Sequence, residues 1–196
     1  MLVVATRNQS KASEMVKILS ELLGESWEVR SLADYPDYPE PEETGDSYAA
    51  NAKIKAEAAA GATNERCIAD DAGLEIDALG GAPGLHSKRF GGEDLPFPDK
   101  IRIILERLDG KERDARFRCA VAISEPEGPT MVFESVKEGS IAQKPAGERG
   151  FGYDSIFHLP ELNCTFAQIE PDHKNAVSHR GIVLAEAAQW LRNHDA

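Results

Sequence analysis

An α/β fold built on a mixed sheet is the arrangement this sequence predicts, and three observations lead there. Apolar strand-like runs alternate with helical periodicities through the first part of the chain. Two β-rich runs then follow one another through a short turn holding Pro and Gly, the pattern of a hairpin. A strongly periodic helix closes the sequence. Interleaved early elements and paired late strands together indicate helices packed on a sheet with both strand directions. The length of 196 residues suits one domain, or two closely fused lobes sharing a core. No internal repeat and no long linker divides it.

The elements are justified in order. Leu2-Val3-Val4-Ala5 is a short apolar run that reads as a buried strand. After Asn8 the period changes: Met15, Ile18, Leu19, Leu22 and Leu23 recur at three- and four-residue steps on one helix face. Gly24 ends that helix as a left-handed cap. Residues 27–32 alternate like a second strand. Residues 34–43 hold three prolines and four glutamates or aspartates besides Asp34, so they form an acidic surface loop rather than a helix. The alanine-rich stretch 47–61 is a helix by propensity. Residues 67–70 and 74–79 read as two extended pieces separated by Asp-Asp-Ala-Gly, and 80–84 as a forced turn. Residues 99–108 carry the apolar face Ile101, Ile104, Leu105 and Leu108. The hairpin strands are 115–124 and 130–139. A glycine-rich loop at 147–154 precedes the last helix, which Ser178 caps and whose buried stripe is Val183, Leu184, Ala187, Ala188 and Leu191.

Composition narrows the function classes. A net charge of −12 disfavours broad nucleic-acid binding, which needs a basic surface. A small polyanion is compatible only where a minority of Lys and Arg converge, and a divalent cation would assist. No apolar run approaches the roughly 20 residues that span a bilayer. Three cysteines without a C-x-x-C pair argue against a disulfide framework and a structural zinc site. The N-terminus lacks signal-peptide features, so the cytoplasm is the expected location.

Four separated stretches carry residues suited to a phosphorylated ligand. Thr6-Arg7-Asn8-Gln9-Ser10-Lys11 leads from a strand into a helix, aiming unpaired N–H groups and a positive dipole end at an anion. Simple helix capping by Asn8 or Ser10 is the competing explanation. Asp70-Asp71, placed at a strand end, offers oxygen ligands of the kind Mg²⁺ favours and a base for water. Ordinary turn chemistry competes here. Phe151 and Tyr153, between Gly150, Gly152 and Asp154, could stack on a purine or equally serve the core. His179 and Arg180 stand in the first turn of the last helix, where a cation opposes the macrodipole by roughly 0.3–1 kcal/mol. Ligand contact would offset that. Lys174 is a further candidate for phosphate, and His158 and His173 read as structural.

These motifs, in this order, resemble the Ham1/inosine-triphosphatase family, the bacterial dITP/XTP pyrophosphatases, over nearly the whole chain. The matching residues are Thr6-x-Asn8-x-x-Lys11, Glu42-Glu43-Thr44-Gly45, Asn51 with Lys55, Ala69-Asp70-Asp71-x-Gly73-Leu74 and Leu79-Gly80-Gly81-Ala82-Pro83-Gly84. They continue with Gly150-Phe151-Gly152-Tyr153-Asp154 and with Lys174 and Ser178-His179-Arg180-Gly181. The resemblance implies a long mixed sheet with two lobes flanking a central substrate cleft, residues 1–196 acting as one domain, and a homodimer. It implies hydrolysis of non-canonical purine nucleoside triphosphates (dITP, ITP, XTP) to monophosphate and pyrophosphate with Mg²⁺. Asp71 would be the catalytic carboxylate and a metal ligand, with Glu42 a second ligand. Thr6 to Lys11, that is Thr6, Arg7, Asn8, Gln9, Ser10 and Lys11, would hold the phosphates with Lys55 and Lys174. Phe151, Gly152, Tyr153, Asp154, His179 and Arg180 would hold the base. Arg7 stands where many relatives have glycine. Ala72 replaces a hydroxyl residue, so it would contribute only its backbone. A modified pyrimidine triphosphate as substrate, or a nucleotide sensor without catalysis, are the rival readings.

Overall fold

A computed structural model of the chain describes residues 1–194; residues 195 and 196 lie outside the described part. Among the described residues seven strands form one sheet in the order β2-β1-β3-β4-β5-β6-β7. β1 (Leu2–Val4) is fully buried and pairs in parallel with β2 (Val29–Ser31) and with β3 (Cys67–Ile76). Its continuous apolar sequence suits a strand flanked on both edges. At the other end β5 (Thr130–Ile141), β6 (Phe157–Leu159) and β7 (Cys164–Thr165) pair antiparallel in succession. β4 (Asp114–Ser124) and β5 are neighbours joined by 125–129, a connection too short for a parallel crossover. The sheet is therefore mixed, as expected.

Helix α1 (Gln9–Leu23) begins where Asn8 accepts the Lys11 N–H, and it buries Met15, Ile18, Leu19 and Leu23. Gly24 closes it at φ +77°, which glycine favours, but ψ −176° lies outside the left-handed helical cap expected there. The second strand is shorter than its alternation suggests: Leu32–Asp34 turn into a single 3₁₀ turn under the Ser31 hydroxyl. Helix α2 (Tyr48–Thr63) starts at Ser47, whose hydroxyl accepts the Ala50 N–H, and ends at Asn64 in the left-handed region. Alanines 52, 56, 59 and 60 bury one face, so small side chains let α2 pack close.

The largest correction concerns β3. It runs unbroken for ten residues through Asp70-Asp71-Ala72-Gly73, where two pieces and a turn were expected. The aspartates therefore sit in mid-strand, not at a strand end. β3 lies between β1 and β4 in the sheet, and that tertiary setting overrides the local turn preference of Asp and Gly. Beyond Ile76 the chain leaves the sheet in one 3₁₀ turn, Asp77–Leu79. Helix α3 (Phe97–Arg107) starts two residues before the expected point, with Pro98 in its first turn. A short helix α4 (Pro171–Val177) was not foreseen; Ser178 is its C-cap and immediately precedes α5 (His179–His194). The predicted stripe of α5 is fully buried.

The chain divides into two compact units. The first comprises Met1–Asp71, Cys119–Ser135 and Arg180–Ala196; the second comprises Ala72–Arg118 and Val136–His179. The division passes through β3, β4 and β5. In the second unit Leu74, Ile76, Ile104, Phe117, Phe157 and Phe166 belong to one apolar cluster. The first unit buries Leu2, Val3, Val4, Met15, Leu19, Ile68, Val183 and Leu184.

Candidate active site

The first unit gathers seven ionised side chains. Because successive strand residues point to opposite faces, Asp70 and Asp71 serve different partners. Asp70, 1% exposed, accepts from Lys11 Nζ at 3.3 Å and from Arg180 Nε and Nη2 at 3.0 and 2.9 Å. The remaining Arg180 arm donates to Glu14 at 2.7 Å. Burial would raise the Asp70 carboxyl, but Lys11 and Arg180 outweigh it and hold it well below the usual carboxylate range. Asp71 accepts from Asn51 Nδ2 at 3.1 Å and from Lys55 Nζ at 3.3 Å. Lys55 reaches on to Glu43 at 2.8 Å. Burial opposes the charge on Lys55, yet Asp71, Asp70 and Glu43 raise its pKa, so it stays an ammonium. Burial pushes Asp71 above the ordinary aspartate value, against the pull of Lys55 and Lys11. Asp71 is thus the more basic of the two neighbouring carboxylates.

Asn51 ties this site to the acidic loop. Its side-chain oxygen accepts the Gly45 N–H at 2.8 Å while its amide donates to Asp71. Ahead of α1, Asn8 caps the helix by accepting the Lys11 N–H at 3.1 Å, and Thr6 Oγ1 accepts the Asn8 N–H at 3.3 Å. Gln9 and Ser10 are exposed at the first helical positions. Arg7 turns toward the Pro-rich loop, donating to the carbonyls of Tyr35, Pro36 and Tyr38 at 3.1, 3.1 and 2.6 Å.

The second unit holds the aromatic loop. Asp154, 5% exposed, accepts the Phe151 N–H at 2.9 Å and the Lys174 ammonium at 2.8 Å. That ammonium also lies 4.8 Å from the Phe151 ring centroid, within cation–π range. Gly150 adopts φ +74°, and a Cβ there would meet Asp154 Oδ2 at 2.1 Å. Only glycine allows the carboxylate to lie so near the backbone. Tyr153 is a core residue: its ring stands edge-on to Phe97 at 5.1 Å and its hydroxyl donates to the Ser87 carbonyl at 2.8 Å. His179 is buried and stacked on Phe117 at 4.4 Å. Phe151 and Gly152 remain half-buried, as does Ala72 in mid-strand.

The structure thus brings Lys11, Lys55, Asp71 and Arg180 together in the first unit, and Phe151, Asp154 and Lys174 in the second. Arg180 faces carboxylates there, where base contact was the expectation. Glu42 is exposed, and it is Glu43 that reaches Lys55. Asp70, offered from sequence as one of a metal-binding pair, is instead taken up by Lys11 and Arg180, and Glu14, Asn51 and Gly45 were given no role from sequence. The four-residue spacing of Asn51 and Lys55 on α2 was the signal for the first pair of contacts on Asp71. Nothing in the sequence marked Glu14. Among the described residues no group of three or more His, Cys, Asp or Glu side chains is arranged to hold a metal ion alone.

Comparison with known proteins bears on the family and the fold. A family model described as the Ham1 family matches residues 2–190. The dITP/XTP pyrophosphatase of Geobacillus kaustophilus is 45% identical over 193 residues, covering 96% of this chain and 93% of that protein. The dITP/XTP pyrophosphatase of Listeria monocytogenes serotype 4b is 42% identical, with 97% and 94% covered. Among solved structures, a HAM1 protein from Coxiella burnetii superposes with a TM-score of 0.87 at 37% identity, 98% of each chain being covered. The Staphylococcus aureus Ham1 protein gives 0.84, again at 37% identity and 98% coverage of both chains. A match that runs from the first strand into the last helix, with the fold preserved at this level of identity, places the chain in the Ham1 family.

Proposed function

We propose that the chain hydrolyses the triphosphates of non-canonical purines, dITP, ITP and XTP, to the nucleoside monophosphate and pyrophosphate. The observation that carries the reading is Asp71: a buried carboxylate, more basic than usual, held by Asn51 and Lys55. Water attacks the α-phosphorus, its proton passes to Asp71, and the bond from that phosphorus to the α,β-bridging oxygen breaks. Pyrophosphate departs with the electron pair. Lys11 and Lys55 balance the charge that accumulates on the phosphates. The names of the relatives, dITP/XTP pyrophosphatases, support the same substrate class.

The donor set suits Mg²⁺. Glu14, Glu43, Asp70 and Asp71 are four carboxylates against the three cations Lys11, Lys55 and Arg180, which leaves one negative charge in excess. Lys55, set between Asp71 and Glu43, already shows where a cation is favoured. Mg²⁺ commonly uses one or two protein carboxylates plus substrate phosphates, so a preformed cage is not required. Asp71 with Glu42 or Glu43 would hold it, and when bound it supplies charge neutralisation at the phosphates. In the second unit Phe151 offers a half-exposed ring for stacking on the purine. A hydrogen-bond donor beside that ring would donate to the 6-oxo group of hypoxanthine or xanthine and would be left unsatisfied facing the amine of adenine. We further read the enzyme as cytoplasmic, where its substrate pool lies, and as a homodimer. Exposed Val132 and Val136 on β5 are the apolar surface that supports the second point.

A pyrophosphate-release screen over dITP, XTP, dATP, dGTP and dTTP with Mg²⁺ tests the reading. Release from dITP and XTP at least roughly 100-fold faster than from dATP is expected, the size of discrimination that one unsatisfied buried donor gives. Equal rates on all five would overturn the substrate assignment.

A further inference from the structure

We infer that Arg7 is a positioning residue for the acidic loop and not a phosphate ligand, an assignment that rests on the proposed hydrolysis for its kinetic consequence. Arg7 lies in the segment that precedes α1, where a positive side chain suggests anion binding. Its guanidinium is otherwise occupied. Nη2 donates to three carbonyls, those of Tyr35, Pro36 and Tyr38, and Nη1 makes a longer contact of 3.4 Å with the Leu32 carbonyl.

All four acceptors belong to residues 32–38, a stretch whose own backbone hydrogen bonds are single turns, Tyr35 N–H to the Leu32 carbonyl and Tyr38 N–H to the Tyr35 carbonyl. The 3₁₀ turn Leu32–Asp34 ends at Tyr35, and three prolines follow before Glu42. Prolines at 36, 39 and 41 remove backbone donors, so the loop presents carbonyls in excess of N–H groups. A planar, permanently charged fork that offers several donors in fixed directions answers that excess, whereas a neutral side chain would not.

The loop leads directly to the site. Its far end is tied down by the Gly45 N–H on Asn51 and by Glu43 on Lys55, both of which are bonded to Asp71. Arg7 ties the near end. The segment that carries Glu42 and Glu43 is therefore stretched between two anchors, and only the far one touches the catalytic carboxylate. Losing the near anchor leaves the segment held at its far end alone, so that Glu42 and the chain leading to Glu43 are positioned less tightly relative to Asp71. The effect falls on turnover, because the phosphate-facing groups at Asn8 to Lys11 are not altered.

The test uses the full-length protein with Arg7→Met, which keeps the length of the side chain and removes every donor, and Arg7→Lys, which restores charge and three donors. Amide exchange is followed first without nucleotide. In Arg7→Met, exchange across 33–44 should accelerate at least ~10-fold while that of α2 stays unchanged. With dITP and Mg²⁺, kcat should fall roughly 10- to 100-fold with KM within about twofold, and Arg7→Lys should recover most of the loss. Unaltered exchange in 33–44, or a raised KM at constant kcat, would overturn the assignment. Should the unaltered protein release no pyrophosphate from dITP, the proposed function falls, and the exchange comparison still decides whether Arg7 clamps the loop.

Discussion

Single residues carry the sharpest expectations because the buried charges here are paired closely. Asp71→Asn keeps the contact with Asn51 within reach but removes the proposed base, so turnover on dITP should drop by roughly 100-fold or more while the thermal midpoint changes little. Near-normal turnover would remove Asp71 from the chemistry. Asp70 behaves differently. Replacing it by Asn deprives buried Arg180 and Lys11 of a carboxylate, which costs about 3–5 kcal/mol, measurable by urea unfolding at pH 7. Its folded pKa lies below the unfolded value of about 3.9, so its contribution is fully present above that pH. It is lost as pH falls from there toward the folded value, and the difference between the two proteins should narrow steadily as pH drops below about 4. A gap that widens on acidification would contradict the pairing. Gly45 is a third case. A Cβ there would meet Asn51 Oδ1 at 2.6 Å and Ala50 Cβ at 2.7 Å. Gly45→Ala should cost about 1–3 kcal/mol and lower turnover, since it pushes on the residue that orients Asp71.

At the scale of elements, the helices were legible because their periodicity is dictated by burial of one face. Met15 to Leu23 on α1 and Val183 to Leu191 on α5 are buried where the spacing puts them. On α3, Ile104 is fully buried and Arg102 is exposed. Ile104→Ala should lower the unfolding free energy by about 2–5 kcal/mol, and Arg102→Ala by no more than about 0.5 kcal/mol, as read from urea midpoints. Equal effects would mean the apolar face is not the one that packs. β3 resisted the same reasoning. Asp-Asp-Ala-Gly has turn chemistry locally, and only pairing with neighbouring strands keeps it extended. β6, β7 and α4 are three, two and seven residues long, too short for a period to emerge.

For the molecule as a whole, the three thiols report on global opening. Burial pushes Cys67 up to about 11 and Cys119 up to about 12, and both side chains are inaccessible. Cys164 is partly exposed. At pH 8 a thiol reagent should therefore label one cysteine per folded chain rapidly and all three in urea. Rapid labelling of all three under native conditions would mean that the core around β3 and β4 opens readily.

What sequence alone determined is the set of chemistries and most of the elements: paired aspartates, a lysine-bearing strand-to-helix segment, an aromatic glycine loop and the periodic helices. Those follow from local rules of spacing and side-chain type. Tertiary structure alone decided the partners. It put Asp70 with Lys11 and Arg180, 59 and 110 residues away, and Asp71 with Asn51 and Lys55. It also turned Arg7 onto a loop of carbonyls and buried the Tyr153 and His179 rings. Which charge faces which is set by strand alternation and packing between distant segments, and neither has a signature at short range.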